Sequence, residues 1–220
     1  MEITVSAKPS AITFESGKTA LIVVDMQNSF CKKRGMMDYF HKFNPEMSDR
    51  VIAADKKVLE ICRKKGIKIV YLRMTYGPEE GPDSPFYWKE SGRKAMRENP
   101  DLKGKFLTEG TWDWDIVDEL KPEENDIIVN KSRFSGFVNT DLDAKLKELN
   151  MRYLLFAGVF TNICVESTAR DAFSHEYFPI LIEDACGNVG PLNLQDATIW
   201  NIVQAFGWVT TSEELIPALN

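Results

Sequence analysis

The stretch Tyr153-Leu-Leu-Phe-Ala-Gly-Val-Phe-Thr-Asn-Ile-Cys164 decides the fold, because it changes from one secondary structure to another within a few residues. Residues 153–157 are apolar almost throughout, which is typical of a strand buried on both faces of a sheet. After Cys164, apolar side chains recur three and four positions apart as far as Phe173, and this spacing predicts a helix. A buried strand that leads directly into a helix is the unit of parallel α/β sheets.

Cys164 falls in the first turn of this predicted helix. Thr161 or Asn162 could cap the helix by accepting hydrogen bonds from its open backbone N–H groups. The positive end of the helix dipole favours a thiolate, and the same N–H groups could bind an oxyanion. A cysteine can equally be a small apolar core residue, so this stretch alone leaves both interpretations open.

The rest of the chain repeats the alternation of strand and helix. Further strands are predicted at 19–24, 67–72, 126–130, 178–182 and 208–210. Helices are predicted at 48–65, 141–149 and 192–206, with a short one at 114–120. Residues 1–18 are expected to run extended over the surface, residues 26–48 to form a cover and residues 76–85 to form a loop. We therefore expect a single domain over 1–220, with an α/β, doubly wound, mainly parallel six-stranded sheet and helices on both faces.

The composition limits the classes of partner that the protein can bind and indicates its cellular compartment. The chain has 220 residues, 44% of them hydrophobic, and a net charge of −6, which argues against nucleic acid or an anionic membrane surface as a partner. Its four cysteines form no CxxC pair and no disulfide framework, so a reducing compartment is expected. The N-terminus lacks a signal-peptide pattern, and no apolar run is long enough to span a bilayer. We expect a cytoplasmic protein.

Three residues with useful chemistry follow or end predicted elements at one edge of the sheet. Asp25 comes directly after the first buried strand, Lys131 follows the third, and Cys164 follows the strand at 153–157. Taken singly, Asp25 could be a helix cap or turn residue and Lys131 a solvated surface charge. Because the carboxyl ends of parallel strands share an edge, we expect the three to meet. Lys131 would then favour a thiolate, while Asp25 would take the thiol proton and return it to a leaving amine.

These residues lie in blocks that resemble the isochorismatase-like cysteine hydrolases. The blocks are Leu21-Ile-Val-Val-Asp-Met-Gln-Asn28, the segment around Lys131, and Gly158-Val-Phe-Thr-Asn-Ile-Cys-Val165. The resemblance implies a Rossmann-like fold, a catalytic triad of Asp25, Lys131 and Cys164, and a thioester intermediate. It also implies a cis peptide between Val159 and Phe160. The N–H groups of Phe160 and Cys164 would form the oxyanion hole, and no cofactor is implied.

The resemblance is closest, and nearly end to end, to members of this family that cleave ureido compounds. Matching segments include 8–14, 96–97, 104–105, 112–113, 135–137, 164–168 and 206–208. Where those members carry Asn-Gly-Trp after the second strand and Tyr three residues after the lysine, this chain has Met74-Thr75-Tyr76 and Phe134. We expect Gln27, Met74, Tyr76 and Phe134 to contact the substrate. Because polar groups are lost, we expect hydrolysis of a small ureido or carbamoyl compound with relaxed selectivity at the end distal to the carbonyl.

Other activities of the family stay open to different degrees. Another carbamoyl or small amide compound, biuret-like or an N-carbamoyl amino acid, is the main alternative. Nicotinamide hydrolysis is less favoured, since the metal site implied for that branch needs clustered histidines and only His41 and His175 exist here, so no metal is expected. Isochorismate cleavage needs no thiol, and a non-catalytic binding module would be favoured only by a missing triad residue. A homo-oligomer with a small-molecule substrate is expected.

Overall fold

The centre of the molecule is a parallel six-stranded sheet. A computed structural model describes residues 1–77 and 81–220. The strands are β1 (Glu2–Val5), β2 (Ile12–Glu15), β3 (Thr19–Val24), β4 (Lys68–Met74), β5 (Ile127–Lys131), β6 (Tyr153–Val159), β7 (Phe178–Gly187) and β8 (Trp208–Thr210). The sheet has the order β5-β4-β3-β6-β7-β8, and every neighbouring pair is parallel. This architecture confirms the predicted fold class.

Helices cover both faces of this sheet. They are α1 (Asn28–Cys31), α2 (Met36–Tyr39), α3 (Pro45–Lys64), α4 (Pro85–Lys89), α5 (Ser91–Glu98), α6 (Leu142–Glu148), α7 (Glu166–Ser174), α8 (Asn193–Asn201) and α9 (Ser212–Leu219). The buried strand β3 shows the two layers, because Leu21 and Val23 pack with residues of α3 and α9, whereas Ile22 and Val24 pack with residues of α6 and α7. No helix within the described ranges is long and apolar enough to cross a membrane.

The strand order reverses between β3 and β6, which are neighbours at the middle of the sheet. From β3 the chain adds β4 and β5 on one side, and from β6 it adds β7 and β8 on the other. Open α/β sheets bind ligands at such a switch point, beyond the carboxyl ends of the strands. Gly158 makes the close approach of these two strands possible. Its φ is +112°, and a Cβ atom there would lie 2.2 Å from the carbonyl oxygen of Val24. The residue after Val24 is Asp25, so the tight contact brings the end of β6 next to the predicted acid.

The N-terminal residues differ from the prediction. Residues 1–18 do not run freely over the surface, because β1 and β2 pair antiparallel. Their alternate side chains, Ile3, Val5, Ile12 and Phe14, are buried in the core layer that contains α3 and α9. The alternation of apolar and polar residues in these two short strands carries this information, because one face of a strand is buried when every second residue is apolar.

The predicted helix at 114–120 was wrong as well. A single 3-10 turn, Asp118–Leu120, is the helical part of this segment. The residues before it pair with the segment after β3 instead. The N–H of Asn28 donates to the carbonyl of Asp115 at 2.9 Å, and the N–H of Val117 donates to the carbonyl of Met26 at 2.9 Å. These backbone bonds fix the start of the cover segment against the sheet.

The remaining predicted elements need smaller changes. Helix α3 begins at Pro45, three residues before the predicted start, with the Asn44 side chain accepting from the N–H of Met47. The cover at 26–48 contains the short helices α1 and α2. Of the predicted loop at 76–85, residues 78–80 lie outside the described part of the chain. Helix α9 had no predicted counterpart.

Candidate active site

Asp25 lies at the switch point of the sheet, with its carboxylate held from two sides. It follows β3 and takes a left-handed backbone conformation, with φ of +50°. Its N–H donates to the carbonyl of Leu72 at 2.9 Å, and its Oδ1 accepts from the N–H of Met74 at 3.0 Å. Both partners belong to β4, so the neighbouring strand orients the carboxylate. The residue is only 1% exposed.

Lys131 reaches Asp25 from two strands away. It is the last residue of β5 and pairs in register with Met74 at the end of β4. Its Nζ lies 2.7 Å from Oδ2 of Asp25 and 3.2 Å from the carbonyl oxygen of Arg133. Both side chains of the ion pair are almost completely excluded from solvent. Such a pair is maintained only when each charge has its partner, so its two members are tightly coupled.

Cys164 completes the cluster. A π-helical turn, Thr161–Val165, follows β6 and leads into α7, and Cys164 lies within this turn. Its thiol lies beside the Asp25 carboxylate and the Lys131 ammonium group, and both charges act on its pKa. The structure therefore brings the three predicted residues together.

The electrostatics of the cluster differ from the expected resting thiolate. Burial raises the pKa of the Cys164 thiol, and the neighbouring Lys131 charge opposes this only in part. Burial also raises the pKa of Asp25, again against the influence of Lys131. For Lys131, burial lowers the pKa, but the charges of Asp25 and Cys164 outweigh it and raise the pKa overall. The thiol is thus protonated at rest, and it lies beside a carboxylate whose raised pKa makes it a stronger proton acceptor than an ordinary aspartate.

The turn after β6 is held differently from the predicted cap. Neither Thr161 nor Asn162 caps the helix. The Asn162 side chain instead bonds the backbone of Val189, with 3.1 Å for both its oxygen and its nitrogen contact. The peptide between Val159 and Phe160 is cis, as the family resemblance implies. The carbonyl of Phe160 accepts from N–H groups of the turn, and the oxyanion role of the Phe160 and Cys164 N–H groups stays a prediction.

A cavity of about 180 Å³ opens beside the thiol. Most of its wall is apolar and comes from the cover segment, from β4, from the segments after β5 and β6, and from two further loops. The apolar lining residues are Phe30, Met36, Met37, Phe40, Met74, Leu107, Phe134, Phe160, Ile163 and Val189. Four polar residues share the wall with Cys164, namely Lys42, Lys89, Glu90 and Ser91. This is the composition of a small-molecule site, with an apolar body and a few placed polar groups.

The structure brings two of the four expected substrate-contact residues to this cavity. Met74 and Phe134 line it. Gln27 is completely buried behind it: its Nε2 donates to the carbonyls of Met74 at 2.9 Å and Trp114 at 2.8 Å, and its Oε1 accepts from the N–H of Met74 at 2.8 Å. Every polar atom of Gln27 is therefore used to fix the end of β4. Tyr76 also lies behind the wall, where its hydroxyl donates to Glu90.

Sequence reasoning missed the polar part of the wall. Lys42 lies just after the cover helices, and Lys89, Glu90 and Ser91 lie where α4 passes into α5. Neither segment has clear apolar periodicity. Two charged residues directly after two aromatic residues, as in Tyr87-Trp-Lys-Glu90, were the available signal. The expectation of a largely apolar distal pocket was incomplete for this reason.

Side chains that can bind metal ions are scattered over the described ranges. No group of three or more His, Cys, Asp and Glu side chains that could hold an ion occurs there. His175 stacks on the ring of Phe137, with ring centroids 4.9 Å apart. The absence of a metal requirement stays a prediction.

The fold and the buried cluster together describe a doubly wound α/β enzyme with a thiol, the predicted nucleophile Cys164, at the switch point of the sheet. The family model for the isochorismatase domain matches residues 19–214. The chain therefore belongs to the isochorismatase family.

Individual relatives agree with this placement. Ureidoacrylate amidohydrolase RutB of Rhizobium rhizogenes is 43% identical over 213 residues, which are 95% of this chain and 86% of that protein. Among solved structures, a cysteine hydrolase from Pseudomonas syringae pv. phaseolicola superposes with a TM-score of 0.76 at 27% identity, covering 94% of each chain. N-carbamoylsarcosine amidase from Thermoplasma acidophilum gives a TM-score of 0.69 at 27% identity, covering 90% of this chain and 98% of that one.

Access to the cavity predicts which cysteine reacts with an alkylating reagent. Burial raises the pKa of all four thiols, that of Cys62 to about 12, so none is activated by charge alone. Cys164 is the cysteine that lines the cavity, while Cys31, Cys62 and Cys186 are enclosed in the core. We expect iodoacetamide to label Cys164 first. Because the pKa is raised, the rate should increase from about pH 6 to about pH 9 as the thiolate fraction grows.

Peptide mass spectrometry beside an activity assay checks this order. Loss of activity should parallel the labelling of Cys164. Faster labelling of Cys31, with activity intact, would show that Cys164 is not the cysteine that the cavity makes accessible.

Proposed function

We propose that the protein is an amidohydrolase that cleaves a C–N bond of a small ureido or carbamoyl compound, with Cys164 as nucleophile. The observation that carries the proposal is the buried Asp25–Lys131 ion pair, at 2.7 Å, with the Cys164 thiol beside both charges at the wall of the cavity. A nucleophile, a proton acceptor and a fixed cation in one water-poor site are the parts that acyl transfer requires. The RutB relatives, which share about two fifths of their residues with this chain, support the reaction class.

The first half of the proposed reaction forms a covalent intermediate. Substrate enters the cavity and displaces water, Asp25 takes the thiol proton, and Sγ of Cys164 bonds to the carbonyl carbon. The carbonyl oxygen becomes an oxyanion, which the N–H groups of Phe160 and Cys164 would stabilise. The C–N bond then breaks as Asp25 returns the proton to the departing nitrogen. A thioester on Cys164 remains.

The second half regenerates the enzyme. A water molecule gives a proton to Asp25 while its oxygen attacks the thioester carbon. The C–S bond breaks, and the proton on Asp25 returns to Cys164. Lys131 keeps its charge throughout and stabilises whichever of its two neighbours is anionic at each stage. The raised pKa of Asp25 supports this shuttle, because an ordinary aspartate would release its proton too readily to serve as an acid.

We propose a ureido acid of the ureidoacrylate type as substrate. The apolar wall around Met74 and Phe134 suits the carbon skeleton of such a compound. The exposed side chains of Lys42 and Lys89 lie at the wall of the same cavity and can attract the carboxylate. Exposed lysines discriminate weakly, since solvent and salt screen their charge. The expected selectivity at the distal end is therefore modest.

Kinetics on a panel of compounds test this function. We expect ammonia release or carbamoyl loss from ureidoacrylate and from its stable analogue β-ureidopropionate. Neutral carbamoyl compounds should also react, with kcat/KM lower by about 10- to 100-fold, whereas a site built to pair the polar group would discriminate by about 10⁴-fold. A preference near the larger value would show that the distal end is recognised by a group not assigned here.

The main alternative is an amidase for another carbamoyl or small amide compound. Turnover of biuret, an N-carbamoyl amino acid or nicotinamide, with no turnover of either ureido acid, would favour it. The lysines at the cavity wall, Lys42 and Lys89, favour a substrate with a carboxylate over the uncharged compounds biuret and nicotinamide. The expected homo-oligomer and the expected cytoplasmic location stay predictions. The homo-oligomer is supported by three large exposed apolar side chains, Trp88, Leu192 and Trp200, because such side chains often lie at interfaces.

A further inference from the structure

Glu90 is a titratable group in the catalytic cavity that the proposed reaction does not use. It lies where α4 ends and α5 begins, is half-buried, and lines the same cavity as Cys164. Although it occupies the N-cap position of α5, its side chain makes no capping hydrogen bond. A half-buried carboxylate that does not serve its own helix needs another explanation, because removing it from water is costly.

The surroundings of Glu90 orient one of its two oxygens. Tyr76 donates its hydroxyl proton to Oε2, and burial raises the pKa of Tyr76, so that this hydroxyl stays a donor. The guanidinium of Arg93 lies over the Tyr76 ring, 4.6 Å from its centroid, and packs this pair from behind. Among the described residues, no group donates to the other oxygen, Oε1. That oxygen remains available to a ligand in the cavity.

The charge of Glu90 reaches the reacting groups. Burial raises the pKa of Glu90, which Tyr76 and Arg93 oppose, and Lys131 and Asp25 act on it as well. Glu90 in turn contributes to the raised pKa of Cys164. Its carboxylate also shares with Cys164 the wall of the cavity in which the carbamoyl group must lie for attack.

Among the described residues of the cavity wall, no other side chain is an equivalent acceptor. Of its four polar residues other than Cys164, Lys42 and Lys89 can only donate, and Ser91 carries a neutral hydroxyl. A ureido group presents N–H donors at its carbamoyl end. If these entered an apolar cavity without an acceptor, each would lose its hydrogen bonds to water at a cost of about 1–3 kcal/mol.

We propose that Glu90 is a specificity-determining residue that accepts a hydrogen bond from the carbamoyl N–H of the substrate. This assignment rests on the proposed function and adds a substrate class to it. The enzyme selects compounds with a free carbamoyl NH₂ at the reacting end, held by Glu90, and it tolerates variation at the distal end near the lysines. Compounds whose terminal nitrogen is fully alkylated react more slowly because they have no proton to donate to Glu90.

The test compares β-ureidopropionate with its derivative dimethylated on the terminal nitrogen. For the wild-type chain we expect kcat/KM to favour the unsubstituted compound by about 10- to 100-fold beyond the effect of size, as for a hydrogen bond to a charged group. Glu90→Ala should lose this preference, mainly through a higher KM for the unsubstituted compound. Glu90→Gln, which keeps an acceptor oxygen, should restore part of it.

A matched control separates this role from a general effect on the helix. Glu98 lies at the far end of α5 and is exposed beside Lys94. Glu98→Ala should leave the preference unchanged. If Glu90→Ala did not fold, Glu90→Gln and Tyr76→Phe would be measured in its place, because both preserve the volume of the site.

The outcomes distinguish the two proposals. An equal loss of kcat/KM on both compounds in the Glu90 variants would overturn the specificity role and leave the amidohydrolase function standing. If Glu90→Ala kept the wild-type preference for the unsubstituted compound, the specificity role would likewise be overturned and the amidohydrolase function would stand. If the wild-type chain hydrolysed neither compound, the proposed function and the assignment of Glu90 would both be contradicted.

Discussion

Replacing Cys164 by alanine is expected to lower kcat on a ureido substrate by roughly 10⁴- to 10⁶-fold, as for other enzymes that lose their nucleophile. No other thiol lines the catalytic cavity within the described part of the chain, so none can substitute for it. Serine should be almost as poor, because a hydroxyl has a much higher pKa than a thiol and the Asp25 carboxylate cannot deprotonate it efficiently. Steady-state kinetics with both variants measure the effect.

The fold should survive this substitution. Cys164→Ala removes one sulfur at the edge of a cavity, and we expect a change in unfolding free energy of about 1 kcal/mol or less. Cys62→Ala is the matched control, because Cys62 is completely buried on the inner face of α3 and far in the chain from the cluster. It should keep full activity per folded molecule. Near-normal turnover by folded Cys164→Ala would disprove the mechanism.

Replacing Lys131 by methionine is expected to remove both activity and much of the stability. The substitution leaves Asp25 buried with an uncompensated charge, which typically costs about 3–5 kcal/mol. A domain of this size is stable by about 5–15 kcal/mol in total, so the loss is a large part of it. Denaturant unfolding measures it, and the same preparation gives the rate.

Two further variants separate charge balance from catalysis. In the double variant Asp25→Asn with Lys131→Met no buried charge is left unpaired, so most of the stability should return while activity stays absent. Lys145→Met is the control for loss of a lysine, because its pair with Asp141 is exposed and should contribute little. A double variant as unstable as Lys131→Met would show that the destabilisation comes from packing and not from the unpaired charge.

Local sequence patterns were sufficient to predict the sheet and to predict that Asp25, Lys131 and Cys164 lie together at its edge. The uniformly apolar strands at 19–24 and 153–157 predict burial on both faces, and parallel strands place their following residues at one edge. Asp25 and Cys164 could be placed this way, because their positions depend on the strands that directly precede them.

Contacts between distant segments were not accessible to the same reasoning. The amide of Gln27 bonds the carbonyl of Trp114, 87 positions later, and the pairing of these two segments replaces the predicted helix. The role of Glu90 depends likewise on Tyr76, which comes from another segment of the chain. Local periodicity contains no information about such pairs, because each partner is fixed by where the sheet brings it. The sequence also predicted a thiolate at Cys164 where the structure indicates a thiol. Burial raises the pKa of this thiol, and burial depends on the assembled site and not on local sequence.

The Asp25–Lys131 contact joins residues that are 106 positions apart in the chain. Contacts of this kind form late in folding, since the entropy of closing a long loop is lost before the contact returns any free energy. Neither β3 nor β5 can create the ion pair alone, and Cys164 must then be added by β6. A chain in which any one of these three strands is out of place would not bring Asp25, Lys131 and Cys164 together. In a refolding experiment, enzymatic activity should consequently report the fraction of chains in which β3, β5 and β6 have all assembled.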